Sequence, residues 1–301
     1  MPRPLPKLLG FLLGLLAAYC WWLEPSRLQL TRHDILDPEK RFQTPIRVLL
    51  LTDWHLGRFS RPRALQAKMA RLRQEHAAQP FDLVLLGGDY VDTDPRYLRL
   101  LGPCLETLAG FGIPLYAVLG NHDYTSFGGE CQPVTASLEK AGITLRNQAA
   151  AVTVRGQRLL IVGLDDLQES RLYYDPAAYQ TPEQYKDAAG QVDWYAQFDA
   201  IEPETPRLVL SHNPDAVYLP GQVPLAVLCG HTHGGQIMLL DWVSRPLHRW
   251  IHSHLPPGSA VTWAGRRRVQ DRTLIVSRGI EGSAVPLRLL RPPEAVIVTL
   301  H

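Results

Sequence analysis

Apolar and polar positions fall in blocks along this chain. Short unbroken apolar runs recur: VLLL ending at Leu51, LVLL at Leu86, LYAVL at Leu119, LVL at Leu210 and LAVLC at Cys229. Runs of this length, uninterrupted by polar residues, predict strands buried on both faces. Between them, Arg61 to His76 interleaves basic and Gln residues with Ala, Leu and Met, which predicts an amphipathic helix. Pro95 to Leu108 reads as a second helix with Pro near its start. Cys131 to Ala141 reads as a third, stopped by Gly142. Arg158 to Gly163, Thr273 to Ser277 and Ala295 to Leu300 are further strand candidates. Strands alternating with helices indicate an α/β class. Residues 25–45 read as a polar, Pro-bounded connector, and 46–301 as the catalytic domain. Two stretches, 166–204 and 237–270, fit neither period.

The N-terminal 1–24 has a different pattern. Leu8 to Leu23 carries no charge, follows Arg3 and Lys7, and closes on Trp21-Trp22, where an interfacial aromatic belt would sit. As a helix it spans about 24 Å, slightly less than a bilayer core of roughly 30 Å. The expectation is an uncleaved single-span anchor. The alternative is a cleaved signal peptide, against which bulky Tyr19, Trp21 and Trp22 occupy the cleavage positions, and Cys20 follows Tyr19 rather than a lipoprotein-type small residue. Basic residues on both flanks (Arg3 and Lys7, Arg27 and Arg32) leave the orientation open. Composition changes the picture little. A net charge of +2 gives no reason to expect nucleic acid as a partner. The four cysteines form no CxxC pair and read as buried small residues rather than a disulfide framework.

Each of the five apolar runs leads directly into residues with metal-ligand chemistry. These are Asp53-Trp54-His55, Gly88-Asp89, Gly120-Asn121-His122-Asp123, Ser211-His212-Asn213 and Gly230-His231-Thr232-His233. Asp53 and His55 lie two apart, so on an extended segment both side chains face one way; His231 and His233 repeat the spacing. The recurrence implies one site at the C-terminal ends of several strands. Asp53, His55, Asp89, Asn121, His212, His231 and His233 offer oxygen and imidazole donors without a thiolate. Such a set suits zinc, iron, manganese or nickel. It exceeds one tetrahedral ion and fits two divalent ions (Mn²⁺, Zn²⁺ or Fe²⁺) sharing a carboxylate. Two such ions bring four positive charges and the two aspartates offset only two, so the residual charge favours a phosphate ester. Metal-assisted phosphoester hydrolysis is the natural chemistry.

In this order the DxH, GD, GNHD, H and GHxH blocks resemble the calcineurin-like metallophosphoesterase family over 46–300. The resemblance implies an α/β fold, a four-layer αββα sandwich of two mixed sheets with a dinuclear centre. Carried over by position, Asp53, His55, Asp89 and His233 would hold one ion. Asp89 would bridge to a second, joined by Asn121, His212 and His231. His122 would serve as general acid or transition-state stabiliser, and Asp123 would orient it by a hydrogen bond. The flanks GGDYVD, SHNPD, HTHGGQ and SRG through PPE are similar to a bacterial membrane-associated branch. That branch includes phosphodiesterases and UDP-2,3-diacylglucosamine pyrophosphatases of lipid A synthesis. It implies a bacterial inner (cytoplasmic) membrane location and a phosphodiester or diphosphate substrate, with lipid linkage as one option. A general or cyclic-nucleotide phosphodiesterase is the alternative, and a non-catalytic scaffold would be expected to have lost ligands that are intact here.

Remaining features have plainer readings. Asp92 and Asp94 read equally as supports of the site or as a solvated turn or helix cap. His248, His252 and His254 lack matching carboxylates and read as surface histidines. Arg266-Arg267-Arg268 reads as a solvated charge run. The aromatic and basic stretch within 237–270 reads equally as a packed flap or a membrane-facing surface.

Overall fold

The computed structural model describes residues 5–128, 131–143, 148–166, 201–219, 221–237, 262–283 and 285–301. Helix α1 (Leu5–Ala18) continues through a π turn (Tyr19–Leu23) and a 3-10 turn (Glu24–Ser26). Strands β1 (Gln29–Ile35) and β2 (Ile46–Leu51) follow, then α2 (Pro62–Ala78) and β3 (Leu83–Gly87). Next come α3 (Leu101–Ala109), β4 (Leu115–Val118), α4 (Asn121–Thr125) and α5 (Gln132–Lys140). Strands β5 (Gln148–Val154), β6 (Gln157–Leu164), β7 (Arg207–Ser211) and β8 (Ala226–Cys229) follow. The chain closes with β9 (Gly265–Val269), β10 (Arg272–Val276) and β11 (Glu294–Leu300).

Two mixed sheets form, in the orders β1-β11-β2-β3-β4 and β5-β6-β7-β8-β10-β9. In the first, β2, β3 and β4 run parallel; in the second, β6, β7, β8 and β10 do. A core containing Val48, Leu50, Leu83 and Leu85 from one sheet and Ile161, Leu210, Leu228 and Ile275 from the other fills the space between them. The opposite face of the first sheet packs on α2, α3 and α5 through Leu72, Leu105 and Val134. The outer face of the second is covered, among the described residues, by the turn Pro214–Tyr218. This is the α/β class expected from the run pattern, in the sandwich of two mixed sheets that the family resemblance implied. Strands buried on both faces are why those runs carry no polar alternation.

The three predicted helices and three further strands form close to their expected bounds, except that Pro95–Leu100 winds as a 3-10 turn before α3. The connector expectation for 25–45 needs correction, because β1 joins the first sheet parallel to β11. Only one of its seven residues is fully buried, so as a half-exposed edge strand it lacks the apolar run that marks the central strands. Arg266-Arg267-Arg268 belong to edge strand β9 and are exposed, as a solvated run should be. Most of 166–204 and 237–270, with His248, His252 and His254, lies outside the described residues. Cys20, Cys104, Cys131 and Cys229 are all free thiols.

The segment Lys7–Ser26 is long and apolar enough to cross a membrane, with a mean hydropathy of 1.5. Its leucines and Phe11 are exposed, whereas its C-terminal end is fixed to the domain. The Arg61 guanidinium donates to the carbonyls of Trp21 (2.7 Å) and Trp22 (3.3 Å). The Arg288 amide donates to Cys20 (3.1 Å), and the Arg291 amide to the buried Glu24 carboxylate (2.6 Å). Carbonyls at a helix end lack intrahelical partners, and here the domain supplies them.

Candidate active site

The parallel strands of both sheets end at the same edge of the sandwich, and their following loops carry every predicted ligand. Three groups form: Asp53, His55 and His233; His55, Asp89 and His122; Asp89, His212 and His231. Within each group the ligating atoms lie within 4.8 Å of one another. Asp89 is common to two of them. Its Oδ2 lies 3.1 Å from His55 Nε2 and 3.2 Å from His212 Nε2, the position of a carboxylate shared between two clusters. Asn121 Oδ1 joins at 3.2 Å from His231 Nδ1, which is 3.1 Å from His212 Nε2. His233 Nε2 stands 3.6 Å from Asp53 Oδ1. All seven predicted ligands therefore converge.

The backbone reaches this geometry by leaving the extended region. Asp53, His55, Asp89, His231 and His233 all have positive φ, between 36° and 74°. The expectation that Asp53 and His55 face one way because they are extended is therefore corrected. They converge through a tight turn, held by amides of Asp53, Trp54 and His55 that donate to the carbonyls of Gly88 and Asp89. Non-Gly residues with such φ are uncommon and cluster at functional sites. Glycines are required where candidate ligand carboxylates press on the backbone. A Cβ on Gly120 would collide with the Asp89 carboxylate, and one on Gly230 with that of Asp53.

Hydrogen bonds fix several rings and carboxylates. His212 Nδ1 bonds the Gly87 carbonyl (2.8 Å), which turns Nε2 toward Asp89. The His122 amide donates to Asp89 Oδ1 and the His231 amide to Asp53 Oδ1, both at 2.9 Å. His122 Nδ1 donates to the Asp92 carbonyl (2.6 Å), which fixes the ring orientation. The His122 side chain is 27 % exposed, while His55 and His212 are sealed.

The hydrogen bond expected from Asp123 to His122 is corrected by these contacts. The Asp123 carboxylate instead accepts from the amides of Asp89 (2.8 Å), Tyr90 (2.8 Å) and Gly120 (2.9 Å). It clamps the two metal-ligand loops together, and Asp92 holds His122. The Asp92 carboxylate also lies 3.3 Å from His55 Nδ1, whereas Asp94 caps a turn by accepting from Arg96. Sequence reasoning missed Asp165. Its carboxylate accepts from the Leu119 amide (3.0 Å) and the Tyr124 hydroxyl (2.8 Å), bracing the loop that carries Asn121 and His122. The signal was present, since the apolar run of β6 also ends in carboxylates, Asp165-Asp166. It also missed Lys68, fully buried on α2, which bonds the Ile280 carbonyl and Glu281.

The buried ionisable groups of the site perturb one another strongly. Burial opposes charging of His55 and His212, but the Asp89 carboxylate outweighs it and lifts each pKa to about 10. Burial also disfavours the Asp89 anion, yet His212 and His55 hold its pKa well below the usual carboxylate range. Burial and then the Asp89 charge raise Asp123 to about 7, while burial and His212 push His231 down to about 3. Asp53 Oδ2 and His233 Nδ1 are buried with no hydrogen-bond partner. Orphaned buried donor atoms on converging Asp and His side chains fit divalent metal ions with nitrogen and oxygen preferences.

Comparison with known proteins agrees with this chemistry. Residues 46–235 match the calcineurin-like phosphoesterase family. The chain is 31 % identical to phosphodiesterase YaeI of Escherichia coli, covering 94 % of this chain and 92 % of that one. It is 28 % identical to an uncharacterised metallophosphoesterase of Aquifex aeolicus, covering 96 % and 98 %. It is 27 % identical to the UDP-2,3-diacylglucosamine pyrophosphatase LpxG of Chlamydia muridarum, covering 92 % and 90 %. With this match and the convergent Asp and His clusters together, the chain belongs to the calcineurin-like phosphoesterase family and is a metal-dependent hydrolase.

Proposed function

We propose that this protein hydrolyses a phosphodiester or diphosphate bond in an amphiphilic substrate, a lipid-linked nucleotide such as UDP-2,3-diacylglucosamine, while anchored in the bacterial inner membrane by α1. One observation carries the amphiphile. A cavity of about 300 Å³ is lined by His55 and Asp92 and also by Phe59, Val285 and Pro286. The Phe59 ring meets Trp21 edge-on at 5.5 Å, beside the foot of the apolar helix. The cavity lining thus passes from metal-ligand chemistry to an apolar wall beside the anchor. The name of the Chlamydia relative supports the same substrate class.

Asp53, His55, Asp89 and His233 would hold one ion, with Asp89, Asn121, His212 and His231 holding the other; Mn²⁺, Zn²⁺ and Fe²⁺ all suit these donors. When bound, such a pair activates water and neutralises developing phosphoryl charge. The chain's own residues supply position and a proton. Asp123 fixes the loops bearing Asp89 and Asn121. The Asp92 carbonyl accepts from His122 Nδ1–H, so that Nε2 is the nitrogen that would donate to the leaving oxygen once the ring carries its second proton.

The test compares turnover of UDP-2,3-diacylglucosamine and bis-p-nitrophenyl phosphate by metal-free protein resupplied with Mn²⁺ or Zn²⁺. The expected result is preferential turnover of the lipid-linked diphosphate. Turnover of the artificial diester alone would establish the second reading, a general or cyclic-nucleotide phosphodiesterase. That reading is favoured by the 31 % identity to a protein named only as a phosphodiesterase.

A further inference from the structure

A second cavity, of about 560 Å³, lies on the domain side of the apolar helix. Tyr19 and Glu24, from the last turns of the helical segment, form part of its wall. Arg27, Arg71 and Arg278 converge on it from the start of β1, from α2 and from the segment after β10. Arg32 also lines it but is held by Glu75 at 2.8 Å. The side chains of Arg27 and Arg71 are exposed and form no hydrogen bond or ion pair among the described residues. Arg278 is 9 % exposed and bonds Glu294 through Nη2, yet its Nε is buried without a partner. Glu24 is the single carboxylate among the described residues of the lining; its Oε1 accepts from the Arg291 amide and its Oε2 is buried without a partner. Leu290 adds an exposed apolar surface at the rim.

A solvated surface run of arginines would diverge into water. These come from separate elements, surround a concavity, and include a buried donor left unsatisfied. Guanidinium groups present planar forked donors suited to phosphate. An arginine-lined cavity at the end of a membrane-crossing helix sits where anionic headgroups lie. We infer that this cavity binds the phosphate headgroup of an anionic phospholipid, with Arg27 and Arg71 as the principal contacts and Arg278 as the buried one. The inference rests on the reading that α1 lies in the bilayer, and it concerns a site separate from the metal centre.

The full chain, purified in neutral detergent, is examined by native mass spectrometry with phosphatidylglycerol, phosphatidylcholine or inorganic phosphate added separately. Wild-type protein should retain phosphatidylglycerol in preference to phosphatidylcholine. Arg27→Gln/Arg71→Gln should weaken that retention about thirtyfold, at roughly 1 kcal/mol per arginine. Arg27→Lys/Arg71→Lys should weaken it less, and bis-p-nitrophenyl phosphate turnover should be unchanged in both variants. Equal retention of the two lipids, or wild-type retention by the glutamine variant, overturns the site. Inorganic phosphate binding as tightly as the lipid overturns the headgroup as its source. Flotation with phosphatidylcholine vesicles tests the anchor independently, so a failed anchor and a failed headgroup site give different results.

Discussion

The two sheets contribute unlike walls to the metal-ligand cluster. Loops after β2, β3 and β4 bring every oxygen donor, Asp53, Asp89 and Asn121, together with His55. Loops after β7 and β8 bring only imidazoles, His212, His231 and His233. Negative charge therefore enters from one side and neutral donors from the other, and the contacts between them cross the sandwich. His212 Nε2 reaches Asp89 from the second sheet, and the His231 amide donates to Asp53. A wall built wholly of carboxylates would repel itself. Splitting donors by type sets the Asp89 carboxylate between His55 on its own wall and His212 on the other, and it lifts both to about 10, while burial and His212 hold His231 down.

The largest effect should follow from removing the carboxylate that reaches both walls. Asp89→Ala is expected to lose the metal pair, read as bound metal per protein by elemental analysis, and to bring turnover to the uncatalysed background. Retained turnover would break the shared-carboxylate assignment. His122 belongs to the oxygen wall by sequence but is the exposed imidazole of its group. His122→Ala should retain both metals and slow hydrolysis by about 10²–10⁴-fold. Loss of metal in that variant would make His122 a ligand rather than a proton donor.

A smaller effect should come from Asp123, which stabilises one wall without joining the cluster. In Asp123→Asn one carboxylate oxygen becomes an amide donor facing backbone N–H groups. That leaves a buried donor unpaired, a cost of about 1–3 kcal/mol, read as a lowered denaturation midpoint. Turnover should fall less than in His122→Ala. An Asn variant as stable as wild type would show that the three amides do not depend on the carboxylate.

The oxygen wall and the imidazole wall were both legible in the sequence, because each candidate ligand follows an apolar run that predicts a buried strand. The supports were less legible for physical reasons. Asp123 sits beside His122 in sequence, and adjacency suggested a contact, but helix α4 starts at Asn121 and turns successive side chains apart. Its carboxylate consequently points back to the amides of Asp89, Tyr90 and Gly120. Asp92 acts on His122 through its backbone carbonyl, and a backbone contact leaves no mark in residue type. β1 is an edge strand whose polar residues conceal its pairing, and the connector reading followed from that. Arg278 and Glu281 lie in an irregular segment with no period to read, though the Glu281 amide bonds the Asp53 carbonyl.

The contrast between the walls also sets a pH dependence for the metal-free protein. His55 and His212 have folded-state pKa values near 10, above the ordinary histidine value of 6.5. The stability they contribute is complete below about pH 6.5 and is lost as pH rises toward 10. Asp123, raised to about 7, acts in the same direction at lower pH, because its folded form also binds more protons than the unfolded chain. Asp89 acts oppositely, but its folded pKa lies below the usual range, so its contribution is lost only in acid. From pH 6.5 to 10 the shifts at His55 and His212 act in one direction and outnumber the opposing shift of buried Lys68, so the metal-free melting temperature should drift downward. Metal-loaded protein should not share the drift from these groups, since bound ions replace the protons. A metal-free melting temperature that is flat or rising over this window would mean that the Asp89 carboxylate does not hold protons on His55 and His212. The two walls would then be independent rather than clasped.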